Sequence, residues 1–224
     1  MFRRIVHELR EHVPFTALGT VTGIIIMVIV VFSNVPSRVS ETVFYTLHPL
    51  HVLLSALVTT AMYKKYGSGK IWAAILIGYF GTIIPATISD AIIPYLGSAL
   101  LNVKIELEVP FIEAGKMPVI GVAKWQLVNS AALIGIIIGY WRPITKFPHF
   151  GHVLLSTWAS LFYFTAFGVA YWAPLLPFIF LFLFLGVWIP CCTSDIVFPL
   201  LFVRKEVAIP EHITYNQNHY PEGK

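Results

Sequence analysis

Apolar residues along this chain fall into runs long enough to cross a bilayer, for which roughly 20 residues are needed. The breaks between runs are polar or rich in proline and glycine. The pattern predicts six helices, over about 14–33, 43–63, 71–97, 125–141, 150–172 and 175–202. Their punctuation is Ser33-Asn34-Val35-Pro36, the stretch from Lys64 to Lys70, Trp141-Arg142-Pro143 and Ala173-Pro174. Ala173-Pro174 leaves so little chain that the fifth and sixth helices should be antiparallel neighbours. Ahead of the first run, Phe2, Ile5, Val6 and Leu9 recur at helical spacing opposite Arg3, Arg4 and Arg10, which predicts a short amphipathic helix on the membrane surface. The acidic Glu8 and Glu11 and the length of the run from Phe15 to Phe32 speak against a cleaved signal peptide.

A pair of motifs occurs twice, in the same order. His48-Pro49-Leu50-His51-Val52-Leu53-Leu54-Ser55 opens the second predicted helix, and His149-Phe150-Gly151-His152-Val153-Leu154-Leu155-Ser156 opens the fifth. The third helix carries Gly81, Ile84-Pro85, Ser89-Asp90 and Pro94. The sixth carries Gly186, Ile189-Pro190, Ser194-Asp195 and Pro199 at the same spacing. The first and fourth share only Gly-Ile-Ile-Ile, from Gly23 and Gly135. Two ordered matches that include rare polar residues point to duplication. Each half holds three helices, an odd number, so the second half should run opposite to the first. The expected fold class is therefore an all-α integral membrane protein with six transmembrane helices as a 3+3 inverted-topology repeat. Its expected segments are a surface helix (1–13), a first three-helix repeat (14–97), an outer connecting loop (98–124), a second three-helix repeat (125–203) and an inner C-terminal tail (204–224).

Composition and charge agree with that reading. Only 12% of the residues are charged and 57% are hydrophobic, against about 25% charged in a soluble domain. With the N-terminus inside, only Arg38, Lys104, Lys116 and Lys124 of the 15 basic residues fall outside, as the positive-inside rule requires. The net charge of +4 thus reflects topology, and no nucleic acid is expected as a partner. The expected location is the plasma (inner) membrane with both termini cytoplasmic. Expected partners are the lipid bilayer and either a second copy (a homodimer) or another subunit of a membrane complex. Trp72, Trp125, Trp141 and Trp172 lie near predicted span ends, where indole rings favour the headgroup region.

Of the 11 acidic residues, only Asp90 and Asp195 fall inside apolar runs. A carboxylate in hydrocarbon is costly unless paired, protonated or hydrated, so one in each half implies a use. Prolines bracket both, which predicts kinked or unwound backbone lining a polar cavity. His48 and His51 share a helix face that Ser55 extends, and so do His149, His152 and Ser156. Two imidazoles with a carboxylate from a neighbouring helix could bind a divalent transition metal such as zinc, nickel or manganese, or form a proton-carrying pair. Counting depth from the predicted helix starts puts His48, His51 and Asp90 toward the outer face, and His149, His152 and Asp195 toward the inner face. The plainer readings are an interfacial histidine that caps a helix, and a Ser-Asp pair that serves as a cap or a helix–helix hydrogen bond. Cys191 and Cys192 precede Asp195 and could add soft ligands. Their counterparts are Ala86 and Thr87, so packing is the simpler role. Adjacent cysteines also offer no disulfide framework.

The connection over 98–124 holds Val103-Lys104-Ile105-Glu106-Leu107-Glu108-Val109, whose period of two predicts an exposed strand or hairpin in a solvated linker. Glu106, Glu108 and Glu113 could draw cations to it. His212 and His219, in the tail, show no ligand spacing.

These features lead to a small secondary transporter or permease for a cation, proton-coupled or metallic, or for a small polar solute. Its binding residues would be Asp90, Asp195, Ser89 and Ser194, with His48, His51, His149 and His152 as metal ligands or helpers. One alternative is a non-catalytic or cofactor-bearing subunit of a membrane complex. Another is a membrane-embedded metal-dependent hydrolase, disfavoured because two opposed sites do not suit one reaction. No Walker loop, dinucleotide fingerprint, HExxH or nucleophile elbow is present.

Overall fold

A computed structural model describes residues 2–33, 35–67, 70–100, 104–117, 120–143, 146–169 and 176–202. Helix dominates it. Six long helices run in chain order: α1 (Phe2–Phe32), α2 (Ser37–Tyr66), α3 (Ile71–Leu100), α4 (Lys124–Trp141), α5 (Lys146–Phe167) and α6, which is Leu176–Cys192 continued through Thr193–Val197 to Phe198–Leu201. Among the described residues, three stretches are long and apolar enough to cross a membrane: Ser37–Tyr66, Ile71–Leu100 and Phe180–Leu201. The segment expected to lie on the surface before residue 14 continues into α1 as one helix with Pro14 inside it. The Ala173-Pro174 turn, Trp172 and the tail over 204–224, with His212 and His219, lie outside the described residues.

Prolines mark one local feature in each half. Residues Ile88–Ile92 of α3 and Thr193–Val197 of α6 wind as π-helix, in which a carbonyl pairs five residues ahead rather than four. The predicted unwinding is thus only a widening of the turn. Pro85 and Pro190 lie three residues before these turns, and Pro94 and Pro199 follow them. Ile93 N–H donates to Ile88 O in the π register, so the next bond would need an N–H at Pro94, which has none. That leaves Ser89 O without a partner in its own helix, and by the same spacing Ser194 O loses one to Pro199.

The helices interleave. α2 packs most extensively on α5 and on α4, and α1 lies against α5. Glycines set how closely they approach. A Cβ at Gly135 would stand 2.2 Å from Leu53 O, and one at Gly139 2.3 Å from Leu57 O, so α4 lies backbone to backbone on α2. Gly19 and Gly23 of α1 face Thr157 and Leu161 of α5. The two Gly-x3-Gly pairs therefore do matching jobs, one turn away from the Gly-Ile-Ile-Ile match seen in the sequence. Gly81 of α3 makes room for Phe198 of α6, and Gly186 of α6 makes room for Ile93 of α3.

The connection between α3 and α4 is not a solvated linker. Lys104–Ile105 forms an antiparallel pair with Gly168–Val169 after α5, rather than a hairpin of its own. Ile105 and Met117 are buried against Phe44, Tyr45, Tyr163 and Phe164. Lys124, 5% exposed, is held by Glu41 at 2.9 Å and Glu108 at 2.9 Å. Burial works to lower the pKa of its ammonium, but the hydrogen bonds to Glu41 and Glu108 outweigh this and hold it above the ordinary lysine range. The Tyr45 hydroxyl donates to Glu108 Oε2 at 2.7 Å, and Tyr163 accepts from the Glu108 N–H at 2.8 Å. These residues form a cover over one end of α2 and α5.

Candidate functional site

α2 and α5 carry the histidine motifs, and α3 and α6 carry the carboxylates. Close packing of these four helices brings the motifs together in the interior. Asp90 and Asp195 are fully buried, as are His48, His152, Ser89 and Ser156, and His51 is 1% exposed.

Each carboxylate is held from both halves of the chain. Asp90 Oδ2 faces His48 Nδ1 at 2.8 Å and His51 Nδ1 at 2.7 Å, both from its own half. Its Oδ1 accepts from Ser89 at 2.7 Å and from Ser156 of the other half at 2.6 Å, with Ser160 at 3.4 Å. Asp195 Oδ2 stands 2.8 Å from His152 Nδ1 of its own half. Its Oδ1 accepts from Ser55 at 2.9 Å and Thr59 at 3.3 Å, both from the other half. Carboxylates so supplied with donors are retained in an apolar interior because each lone pair lost from water is replaced.

The same hydroxyls reach the carbonyls released by the prolines. Ser160 Oγ lies 3.0 Å from Ser89 O and 2.8 Å from Ser156 O of its own helix, and Thr59 Oγ1 lies 3.3 Å from both Ser194 O and Asp195 Oδ1, so each shares its one proton among these acceptors. Ser194 donates to Gly81 O at 2.6 Å, the carbonyl four residues before Pro85 that an α-helix would have paired with an N–H at that position. The prolines, the π turns and the cross-half hydroxyls thus form one arrangement. Ser160 and Thr59 escaped the sequence reading. A signal for them exists: Ser55-x3-Thr59 and Ser156-x3-Ser160 continue each histidine face by one more helical turn.

The expectation of two separate clusters, one toward each face, is overturned. His51 and His152 stack face to face with ring centroids 5.6 Å apart and planes at 21°. The error lay in the helix starts. α2 begins at Ser37 rather than near 43, so His51 lies about 21 Å along it at the helical rise, in mid-helix. Asp90 lies about 28 Å along α3, also well inside that helix. The objection to a hydrolase, that two sites lie at opposite faces, falls with it.

Cys191 joins the centre. It is buried, and its Sγ lies 3.9 Å from His51 Nε2 and 3.5 Å from Ser156 Oγ. Ligand atoms of His51, His152 and Cys191 lie within 4.8 Å of one another, as do those of His48, His51 and Asp90, so either group could hold a metal ion. The side chains of His149 and Cys192 lie outside those described. Of the predicted site residues that are described, all eight meet in this one region: Asp90, Asp195, Ser89, Ser194, His48, His51, His152 and Cys191. Comparison with protein-family models, with curated proteins and with solved structures returns no match.

Proposed function

We propose that the chain is a six-span membrane protein of two inverted three-helix halves, and that it works as a small secondary transporter for a cation bound at the central cluster. The membrane part rests on more than the three long apolar helices. Leu18, Val21, Ile25 and Ile29 on α1, Leu76, Phe80 and Ile84 on α3, and Leu181, Leu185 and Ile189 on α6 are all exposed at helical spacing, which gives outward faces suited to lipid. Trp72 and Trp141 are exposed near helix ends, as headgroup anchors would be. The inverted arrangement is supported by reciprocal contacts. Ser55 and Thr59 reach Asp195 just as Ser156 and Ser160 reach Asp90, and Gly81 meets Phe198 just as Gly186 meets Ile93.

The observation that carries the transport reading is that both carboxylates are fully buried at the junction of the halves, each held by donors from both. In a transporter that alternates between two openings, this is the occluded arrangement, and rocking of one half against the other would exchange the cross-half bonds. Among the described residues the histidines, aspartates and serines of the cluster are all buried, so a lipid substrate would not meet them, which weighs against the hydrolase. The same reciprocal bonds also support a second reading, a non-catalytic membrane subunit whose halves they clamp. Cation flux into proteoliposomes, compared for the wild-type chain, Asp90→Asn and Asp195→Asn, tests the choice. A loss of tenfold or more in both variants is expected for a transporter, by about 1.4 kcal/mol per factor of ten. Unchanged flux in both would remove the carboxylates from any transport role.

A further inference from the structure

The duplicated motifs make the cluster reciprocal, but one ligand-type residue breaks the reciprocity. Cys191 occupies the position at which the first half has Ala86. It stands beside the stacked imidazoles. His51 Nδ1 is hydrogen-bonded to Asp90 Oδ2 at 2.7 Å, and His152 Nδ1 lies 2.8 Å from Asp195 Oδ2. The first is the arrangement in which a carboxylate positions a metal-binding histidine, with the opposite ring nitrogen aimed at the ion. His51 obeys it, because its Nε2 is the atom that faces Cys191 Sγ.

Distance favours a metal between them. With metal–sulfur and metal–nitrogen bonds of about 2.3 and 2.0 Å, the sulfur and nitrogen should be about 3.5 Å apart in a tetrahedral site and about 3.7 Å in a trigonal one. The observed sulfur–nitrogen separation is 3.9 Å. The full ligand set lies within 4.8 Å, against about 3.3–3.7 Å between ligand atoms of a formed site, so closure needs a shortening of up to about 1.5 Å shared among the side chains. Charge is compatible with a dication, since two carboxylates and a cysteine share with three histidines a buried space that contains no lysine or arginine among the described residues. The donor set, two imidazoles and a thiolate, selects a zinc-class ion over magnesium or calcium, which take oxygen ligands.

We infer that His51, His152 and Cys191 bind one zinc-class transition-metal dication per chain, with Asp90 and Asp195 as the residues that position the two imidazoles. That this ion is the cargo rests on the transport reading above; the site itself rests on the geometry. Because the thiol comes from one half only, the duplicated chain has one such site rather than two. Its three protein ligands leave a coordination position open, as an exchangeable ion needs.

Purified, chelator-treated full-length protein titrated with cobalt(II), then challenged with zinc, provides the test. The expected result is one cobalt per chain, a thiolate-to-cobalt charge-transfer band, and displacement by zinc. Cys191→Ala installs the residue that the other half already carries. It should abolish the band and weaken binding at least about tenfold, since even loss of an outer partner costs that much, while the metal-free protein keeps its unfolding temperature. No binding by the wild type, two cobalt ions per chain, or an unchanged band in Cys191→Ala would each overturn the site. Zinc uptake by proteoliposomes separates the two readings. Binding without uptake keeps the site and removes the transport role, whereas uptake of another cation without cobalt binding keeps transport and removes the metal.

Discussion

The central cluster and the cover over 104–117 are both held together by polar side chains, but they are built from different chemistry. In the cluster, hydroxyls from one half reach carboxylates and proline-released carbonyls of the other, and the described residues supply no lysine or arginine. In the cover, Lys124 joins Glu41 and Glu108, and two tyrosines close around Glu108. The cluster is reciprocal between the halves, whereas the cover belongs to the connection between them. A network of hydroxyl bonds in a buried interior is insensitive to salt. In the cover the Lys124 ammonium is buried, but the carboxylates of Glu41 and Glu108 are 21% and 19% exposed, so these ion pairs are reached by salt. The cover is therefore the part expected to respond to salt, and the cluster the part expected not to.

The sharpest way to break this contrast is to remove a carboxylate. Asp90→Ala and Asp195→Ala should each destabilise the detergent-solubilised protein by about 3–5 kcal/mol, because the donors around them are left buried and unpaired. Thermal unfolding measures it, and a loss under 1 kcal/mol in either would mean that water reaches the cluster.

Helix approach comes next. Gly135→Ala drives a Cβ to 2.2 Å from the Leu53 carbonyl, which cannot move aside, whereas Gly19→Ala meets Thr157 Oγ1 at 3.2 Å. The first should cost about 2–3 kcal/mol and the second under about 1 kcal/mol. Equal unfolding temperatures would show that α4 does not lie backbone to backbone on α2.

Smaller still are the hydroxyls. Ser160→Ala and Thr59→Val each strip a carbonyl that its own helix cannot pair, for about 0.6–1.7 kcal/mol apiece. The two should be similar, since the bonds are reciprocal, and a cost confined to one would expose a real difference between the halves.

At the cover the effect expected is local. Lys124→Gln, which keeps a donor toward Glu41 and Glu108, should make backbone amides over 104–117 exchange faster with deuterium. High salt should produce the same acceleration in the wild type while leaving amides of α2 and α5 unchanged. The raised pKa of Lys124 fixes the sign with pH: its stabilisation is complete at neutral pH and is lost only as pH rises through the lysine range. Exchange over 104–117 that falls on raising the pH, after correction for the intrinsic rate, would contradict the ion pairs.

Much of this was legible in the sequence because periodicity and punctuation speak directly about helices. The predicted 71–97 and 125–141 differ from Ile71–Leu100 and Lys124–Trp141 by at most three residues. The pairing of His48 and His51 with Asp90 was also readable, from a duplicated motif and a rare carboxylate inside an apolar run. The meeting of the two clusters was not. Depth was counted from helix starts, and placing the start of α2 near 43 instead of at Ser37 displaced His51 by about 9 Å. Nor could the π turns be read from their residues, because proline spacing announces a lost hydrogen bond but not which neighbour replaces it. That answer comes from Ser160, Thr59 and Ser194, which sit on other helices. The cover was missed because alternation over 103–109 is the same for a solvated strand as for one pressed onto Tyr45 and Tyr163.

The central claim is that the motifs of the two halves close on one another. Ser55 Oγ and Ser194 Oγ lie 3.0 Å apart, so cysteines at these two positions, with Cys191 and Cys192 replaced by alanine, report it directly. Mild oxidation of Ser55→Cys/Ser194→Cys in native membranes should join them in a rapid intramolecular disulfide, seen as a mobility shift reversed by reductant. Failure to cross-link, in a protein whose unfolding temperature matches the parent, would mean that the two clusters lie apart.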